Sequence, residues 1–336
     1  MGIARLTASA LFLVAGCSGV YVASTAGPDA SSTADSSTTD ATILDATLEA
    51  DTSMPDGGDA SSACDPRAPF TTIEPMDGLN SSGDEVGLAL TDRGLTAYVV
   101  TAESVDGSYG RSIGVAKRAS TSSSWGPVAK IPSLSSPGYV FDNPSLPADG
   151  RTLYLEATGP NSPDVIALPR NALGELDFAS IRLVAGLSTM GAWEFDSYVT
   201  RDGRSVYFGS DRTGTSLVYR ATLGPSGEAT RVDALLGFAK NGTEASPVPF
   251  VDGTAIYFSR QLERVGGGKQ AEIYASLRDP MSLEFGDGTP VSELAAPGTD
   301  YPVDISDDGC TLYFASDSRK PSLGKTDLYV AKRSRR

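Results

Sequence analysis

Histidine is absent from all 336 residues, and that absence excludes more than any motif in the chain. Ser-His-Asp and Cys-His catalysis, histidine-ligated zinc or copper and imidazole acid-base chemistry all fall away. Any catalysis has to run on carboxylates, Tyr, Lys or Ser. Basic residues are outnumbered, 27 against 42 acids, and cluster only in the terminal AKRSRR (331–336). Phosphate contacts need clustered Lys and Arg, so this balance speaks against nucleic acid as a partner. Long apolar runs are missing too: the N-terminal stretch Leu11–Val14 is too short to span a bilayer. Cysteine is scarce, with three residues at 17, 64 and 310.

The acid excess is uneven. Of the formal charge of −15, residues 1–63 hold −7, Arg5 against eight carboxylates from Asp29 to Asp59, which leaves −8 for residues 64–336. Residues 18–63 are Ser, Thr, Ala, Asp and Gly with few large apolar groups, as in ASSTADSSTTDATILDATLEADTSMPDGGDASS. Such a segment cannot bury enough surface to offset its ordering entropy, and like charges extend it. It reads as a disordered tether leading to a domain that begins at Cys64.

Ahead of it, MGIARLTASALFLVAGC (1–17) has a basic start, a short apolar stretch and small residues before a cysteine, which is the pattern of an export signal. VAGC resembles the bacterial lipobox. The resemblance implies a signal peptide over 1–16, a diacylglycerol on the thiol of Cys17, and, with Ser18 rather than Asp following, delivery to the outer membrane. The expected contact with the membrane is through that lipid alone.

From residue 80 onward one pattern recurs: an apolar strand, a turn ending in Gly, a strand centred on Tyr, and a further strand ending near Arg. The first hairpin appears as TDRGLTAYVV (91–100), PADGRTLYLE (147–156), TRDGRSVYFG (200–209), FVDGTAIYFS (250–259) and SDDGCTLYFA (306–315), with Tyr98, Tyr154, Tyr207, Tyr257 and Tyr313 each four residues after the glycine. Asp-Gly between alternating apolar residues is a hairpin signal, because Gly tolerates positive φ and Asp bonds to nearby backbone. The third strand recurs as SIGVAKR, DVIALPR, SLVYRAT, EIYASLR and DLYVAKR, which puts Arg118, Arg170, Arg278 and Arg333 in one phase with Thr222 as the exception. Stretches such as ELDFASIRLV and FGDGTPVSEL supply a fourth strand.

Four antiparallel strands at a period near 50 residues predict an all-β chain folded as a β-propeller. The turn glycines 94, 150, 203, 253 and 309 are 56, 53, 50 and 56 residues apart. After Gly309 only 27 residues remain, too few for a fourth strand, while 30 residues from Cys64 precede Gly94 and include a surplus strand, PFTTIEP (69–75). The expectation is a ring of five four-stranded blades over residues 64–336, the last completed by that N-terminal strand. Six blades would require a degenerate copy for which these spacings leave no room. In that arrangement Cys310 starts the second strand of the last blade and Cys64 lies six residues before Phe70 in its fourth, on one face about two strand spacings apart, a gap that the six-residue lead can cover. With Cys17 lipidated they are the two cysteines left in an exported protein, so a Cys64–Cys310 disulfide is expected, against two free thiols.

SVYFGSDRTGTSLVYRA (205–221) and TLYFASDSRKPSLGKTDLYVAKR (311–333) resemble the TolB-type, WD40-like propeller repeat, and the resemblance runs over residues 80–333. It implies an envelope propeller of the kind that binds proteins or peptides, and it brings no catalytic residues, since the repeat motif is structural. GKT (324–326) lacks the Gly-rich loop leading into a helix that a phosphate cradle needs.

An acid precedes each turn glycine by seven to nine residues: Glu85, Asp142, Asp196, Glu244 and Asp300. In this register they begin the innermost strands and crowd one mouth of the central channel. Five such carboxylates would need a cation such as Ca²⁺, a Lys- or Arg-bearing peptide, or raised pKa values. The alternative is that each caps a turn or bonds to the neighbouring blade. Two functions follow. One is a non-enzymatic binding module that offers its channel mouth or loop face to an envelope protein, peptide or glycan and needs no cofactor. The other is a carboxylate glycosidase on a five-bladed propeller, drawing two acids from Asp142, Asp196 and Glu244.

Overall fold

A computed structural model describes residues 64–334 except 106–107, 136–139, 159–162, 190, 238–243 and 264–268. The expected export signal, Cys17 and the tether lie outside the described residues. The described residues fall in the larger of two compact units, Gly57–Arg336, and they are strands joined by turns with four short 3₁₀ turns.

The strands form five antiparallel groups of four, here sheets I to V. Sheet I runs Asp84–Thr91, Thr96–Val105, Ser108–Lys117 and Ala129–Lys130; sheet II runs Val140–Ser145, Thr152–Thr158, Pro163–Pro169 and Arg182–Leu183. Sheet III is Glu194–Val199, Ser205–Ser210, Leu217–Leu223 and Ala229–Ala234; sheet IV is Glu244–Pro249, Ala255–Glu263, Lys269–Leu277 and Thr289–Pro290. Sheet V takes Asp300–Ile305, Thr311–Ser316 and Asp327–Lys332 from the C-terminal end and Thr72–Pro75 from the N-terminal end, the last paired antiparallel with Ile73 opposite Ala331. One parallel bridge, Arg111 to Val140, joins sheets I and II.

The first strand of each sheet packs on that of the next, I on II, II on III, III on IV and IV on V, and that of V packs back on I. The reason is visible in the second strands. The residues flanking each repeat tyrosine, Ala97 and Val99, Leu153 and Leu155, Val206 and Phe208, Ile256 and Phe258, Leu312 and Phe314, are all 0% exposed. The tyrosines point to the opposite face, where Tyr98, Tyr154, Tyr207 and Tyr257 are buried and Tyr313 partly buried, so each sheet is covered on both sides and needs a sheet on each side of it. The apolar clusters lie accordingly between successive sheets, including Leu88 and Val99 of sheet I with Leu328 of sheet V. At about 1.5–3 kcal/mol per fully buried large apolar side chain, these inter-sheet cores dominate the stability.

Two adjustments to the repeat register emerge. The residue at the end of the third strand of sheet III that corresponds to Arg118, Arg170, Arg278 and Arg333 is Leu223, not Thr222: its N–H bonds to Arg204 O as those of Arg170 and Arg278 bond to Arg151 O and Thr254 O. The fourth strands are shorter than ELDFASIRLV and FGDGTPVSEL suggest, two residues each at Arg182–Leu183 and Thr289–Pro290.

Cys64 and Cys310 are disulfide-bonded, with Cα atoms 5.1 Å apart. Both are buried, and Cys64 N also donates to Asp308 O in the hairpin turn of sheet V. GKT is structural: the backbone N–H groups of Lys325 and Thr326 donate to Asp84 Oδ1 at 2.9 and 3.2 Å. No helix among the described residues is long and apolar enough to cross a membrane.

Candidate functional site

Each first strand is interrupted by a bulge opposite its partner, between Glu85 and Gly87, Asp142 and Ser145, Phe195 and Tyr198, Ala245 and Val248, and Pro302 and Asp304. Bulges re-aim side chains. At Asn143, Asp196 and Ser246 the backbone takes φ of 46°, 52° and 50°, a left-handed conformation that costs a non-glycine residue energy. These three residues, with Gly87 and Pro302, line the axial space between the sheets, a void of only about 20 Å³. That is room for roughly one water molecule.

The five acids expected at one channel mouth occupy three different registers. Counted from the residue opposite each repeat tyrosine, Glu85, Glu244 and Asp300 are equivalent, and the matching residues in sheets II and III are Phe141 and Glu194. Asp142 lies one position further along the strand and Asp196 two, in the bulge. The five therefore form no ring, and among the described residues no group of three or more His, Cys, Asp or Glu is placed to hold a metal ion.

The equivalent acids are bound inside their own sheets. Glu194 takes Arg212 Nη2 at 3.1 Å and Ser210 Oγ at 2.9 Å, Glu244 takes Arg260 Nε at 3.0 Å, and Arg319 Nε lies 3.5 Å from Asp300. Each arginine lies over the phenylalanine that follows the repeat tyrosine, at 5.0 Å for Phe208, 5.4 Å for Phe258 and 5.0 Å for Phe314. Glu85, without an arginine, accepts from Ser81 N and Oγ at 2.9 and 2.5 Å. Burial raises the Glu85 and Asp300 pKa values.

Asp142 and Asp196 belong to a second cluster, which includes a residue that the repeat does not flag. Asp142 is ion-paired with Arg111 and accepts Asn143 N at 2.9 Å. Asn143 Nδ2 bridges Glu156 Oε2 at 3.0 Å and Asp196 Oδ1 at 3.2 Å. Glu156 also caps Asp196 N at 3.0 Å, and Asp196 caps Ser246 N at 2.9 Å, so a carboxylate of sheet II holds a bulge N–H of sheet III and one of sheet III a bulge N–H of sheet IV. Burial is the main cause that pushes Glu156 up to about 7, with the neighbouring Asp196 adding to it. Burial raises Asp196 as well, against the hydrogen bonds from Ser246. Glu244 is not in this cluster, so the three acids considered for hydrolysis are not brought together.

At the other end of the axis, on the hairpin-turn side, a buried ion pair closes the space. Arg201 Nη2 donates to both oxygens of Asp304 at 2.9 and 3.1 Å and to Ile305 O at 2.8 Å, while its Nη1 reaches Leu90 O at 3.0 Å. Asp304 further accepts Tyr198 OH at 2.9 Å and Leu90 N at 2.8 Å. Sheets I, III and V are thereby tied through one arginine. Desolvation alone would lower its pKa, but the Asp304 carboxylate together with Tyr198, Asp307 and Tyr313 raises it.

On the same side the two repeat signals meet. Arg170 of sheet II donates to Tyr98 OH of sheet I at 2.8 Å, and Arg333 of sheet V donates to Tyr257 OH of sheet IV. Between sheets V and I no such bond is found among the described residues, and a cleft of about 770 Å³ opens instead, lined by Asp92–Gly94, Thr121–Trp125, Arg201, Tyr313 and Lys332. A smaller cleft of about 470 Å³ lies between sheets II and III, where Leu223 replaces the arginine.

No family model matches the chain and no curated protein does. Among solved structures it is similar to TolB from Acinetobacter baumannii, at 17% identity and TM-score 0.45 over 75% of this chain and 56% of that one. The chain thus spans little more than half of that TolB. It is also similar to the catalytic domain of the GH62 α-L-arabinofuranosidase of Coprinopsis cinerea, at 11% identity and TM-score 0.47 over 80% of this chain and 98% of that one. A third likeness is to a chain of the nidogen/laminin complex, at 12% identity and TM-score 0.41 over 70% of this chain and 73% of that one.

Proposed function

We propose that residues 64–336 are a five-bladed β-propeller, each sheet a blade, and that the protein is a non-catalytic binding module for a protein, peptide or glycan of the bacterial envelope. In this reading residues 1–16 direct export, Cys17 carries the lipid anchor at the outer membrane, and residues 17–63 are the tether. The supporting observation is the contrast between the two ends of the axis. Every first-strand acid is already bound within the fold, and the axial space holds about 20 Å³, whereas the cleft of about 770 Å³ on the hairpin-turn side is walled by exposed turns. Recognition is carried by such loops on a rigid scaffold.

One observation favours the second reading, a carboxylate glycosidase: Glu156 and Asp196 are adjacent acids with raised pKa values, as a general acid requires. The two readings separate in one experiment. The purified protein is incubated with chromogenic arabinofuranosides and with envelope extract under cross-linking. The binding reading expects a saturable cross-linked partner and no turnover above that of a Glu156→Gln/Asp196→Asn double variant. Turnover abolished by those substitutions would establish the hydrolase instead.

A further inference from the structure

The charged groups that wall the cleft between sheets V and I are mostly neutralised inside the fold. Asp92 lies 3.7 Å from Arg170, Asp307 3.3 Å from Arg201, and Lys332 2.8 Å from Glu74. Asp308 accepts from Ser306 Oγ and Cys310 N. Two arginines have no ion pair among the described residues, Arg93 and Arg118, against one carboxylate, Asp77. Arg201 is shared between Asp304 and Asp307, so the wall as a whole has no positive excess, and Arg93 and Arg118 are a local pair of cations on its sheet I side.

Arg118 is the member of the repeat series whose tyrosine partner, Tyr313, it faces without a hydrogen bond. Its guanidinium instead lies over the Trp125 ring at 4.2 Å, with Nε donating to Gly94 O at 2.7 Å and Nη1 to Thr121 O at 3.1 Å. Nη2 makes no hydrogen bond among the described residues. Burial lowers the pKa of this arginine, the mark of a cation desolvated without a compensating anion. Arg93 reaches the same cleft from a turn unlike the other four. Asp92, Arg93 and Gly94 take φ of 54°, 56° and 81° in succession, while in the other hairpin turns the glycine alone is left-handed. Two non-glycine residues in that conformation store strain of the kind that clusters at binding sites.

We propose that this cleft binds a peptide through a carboxylate, a free C-terminus or an acidic side chain, received by Arg118 Nη2 and Arg93, with an apolar side chain of the peptide laid along Trp125. This deepens the binding-module reading and rests on it. A planar guanidinium matches a carboxylate in shape, and Arg118 Nη2 is a donor left over for it. The apolar portion of Trp125 and Val330 in the wall suits an amino-acid side chain better than a sugar.

The test uses the full chain with Trp193→Phe, which leaves Trp125 as its one tryptophan, and N-acetylphenylalanine as probe, with N-acetylphenylalaninamide and inorganic phosphate alongside. A saturable change in Trp125 fluorescence is expected with the acid and not with the amide or phosphate. Arg118→Gln should weaken it about tenfold or more, since a charge-assisted bond contributes about 1.5–3 kcal/mol. Arg93→Gln, on an exposed turn, should weaken it severalfold with an unchanged melting temperature, which keeps the test sound should Arg118→Gln disturb the fold. Equal responses to acid and amide, tighter binding of phosphate, or unchanged affinity in both variants would overturn the assignment. An envelope partner still cross-linked equally well by Arg118→Gln and Arg93→Gln would also overturn it while leaving the binding-module reading standing; loss of every partner from the unaltered chain would remove that reading.

Discussion

Burial lifts Glu156 to a pKa of about 7 from an ordinary 4.5, so the folded protein retains a proton that the unfolded chain releases. For a group raised in this way the stabilising contribution is complete below the unfolded value and is lost as pH climbs through the folded one. Between about pH 4.5 and 7 stability should therefore fall, by about 3 kcal/mol from this group at roughly 1.4 kcal/mol per unit. Asp196 beside it works in the same direction and Arg111 against it. Glu156→Gln keeps an oxygen for Asn143 and for Asp196 N and removes the charge. The variant should match the wild type in denaturant unfolding at pH 5 and exceed it at pH 8; parallel curves at the two pH values would mean that Glu156 is not the group responsible. The sequence holds no sign of this residue. It sits in the second strand of a divergent repeat, and only the bulge at Asn143 and the approach of sheet III bring the carboxyl groups of Asp142 and Asp196 to it. Glu194, by contrast, was legible: it stands nine residues before Gly203, the offset of Glu85, Glu244 and Asp300 from their own glycines, whereas choosing the nearest acid selects Asp196.

At the scale of the strand and its neighbours, the tyrosine phase and the arginine phase are each plain in the sequence, but their relation is not. The pair joins adjoining sheets, Arg170 to Tyr98 across 72 residues, and spacing within one repeat cannot reveal a bond between two. Removing either partner should cost about 1–3 kcal/mol, because a buried polar group is left unsatisfied. A double-mutant cycle with Arg170→Met and Tyr98→Phe should return a coupling of about 1 kcal/mol or more in chemical denaturation. The same cycle on Arg118→Met and Tyr313→Phe should return close to zero, since no hydrogen bond joins them. Equal couplings at both junctions would contradict the distinction on which the cleft rests. The arginine stacks of sheets III, IV and V were likewise hidden in YFGSDR, YFSR and YFASDSR, where the arginine's distance from the tyrosine varies from three to six residues while its place over the ring does not.

For the molecule as a whole, the turn glycines, the surplus N-terminal strand and the two cysteines were enough to anticipate a chain whose ends meet in one sheet. The axial ion pair was not, because no other repeat has a basic residue at the turn position of Arg201, where Asp92, Ala148, Val251 and Asp307 stand, or a charge at the strand position of Asp304. Replacing Cys310 with Ala should lower stability by about 2–5 kcal/mol while leaving Thr72–Pro75 paired. Deleting residues 64–78 removes that strand and the disulfide together and should cost more, abolishing cooperative melting. A deletion that melts like the Cys310→Ala variant would show that the strand contributes nothing.

The Cys64–Cys310 bond spans 246 positions of sequence, and its place in the chain gives it a mechanical meaning. Tension arriving from the N-terminal side of Cys64 divides there between the backbone leading to Thr72 and the covalent link into the hairpin of sheet V. The link is the shorter path to the body of the fold. An edge strand held by hydrogen bonds to Asp327–Lys332 alone could be peeled away pair by pair; behind the disulfide it is shielded from load, and a pull is delivered to the ring at a turn anchored in its core.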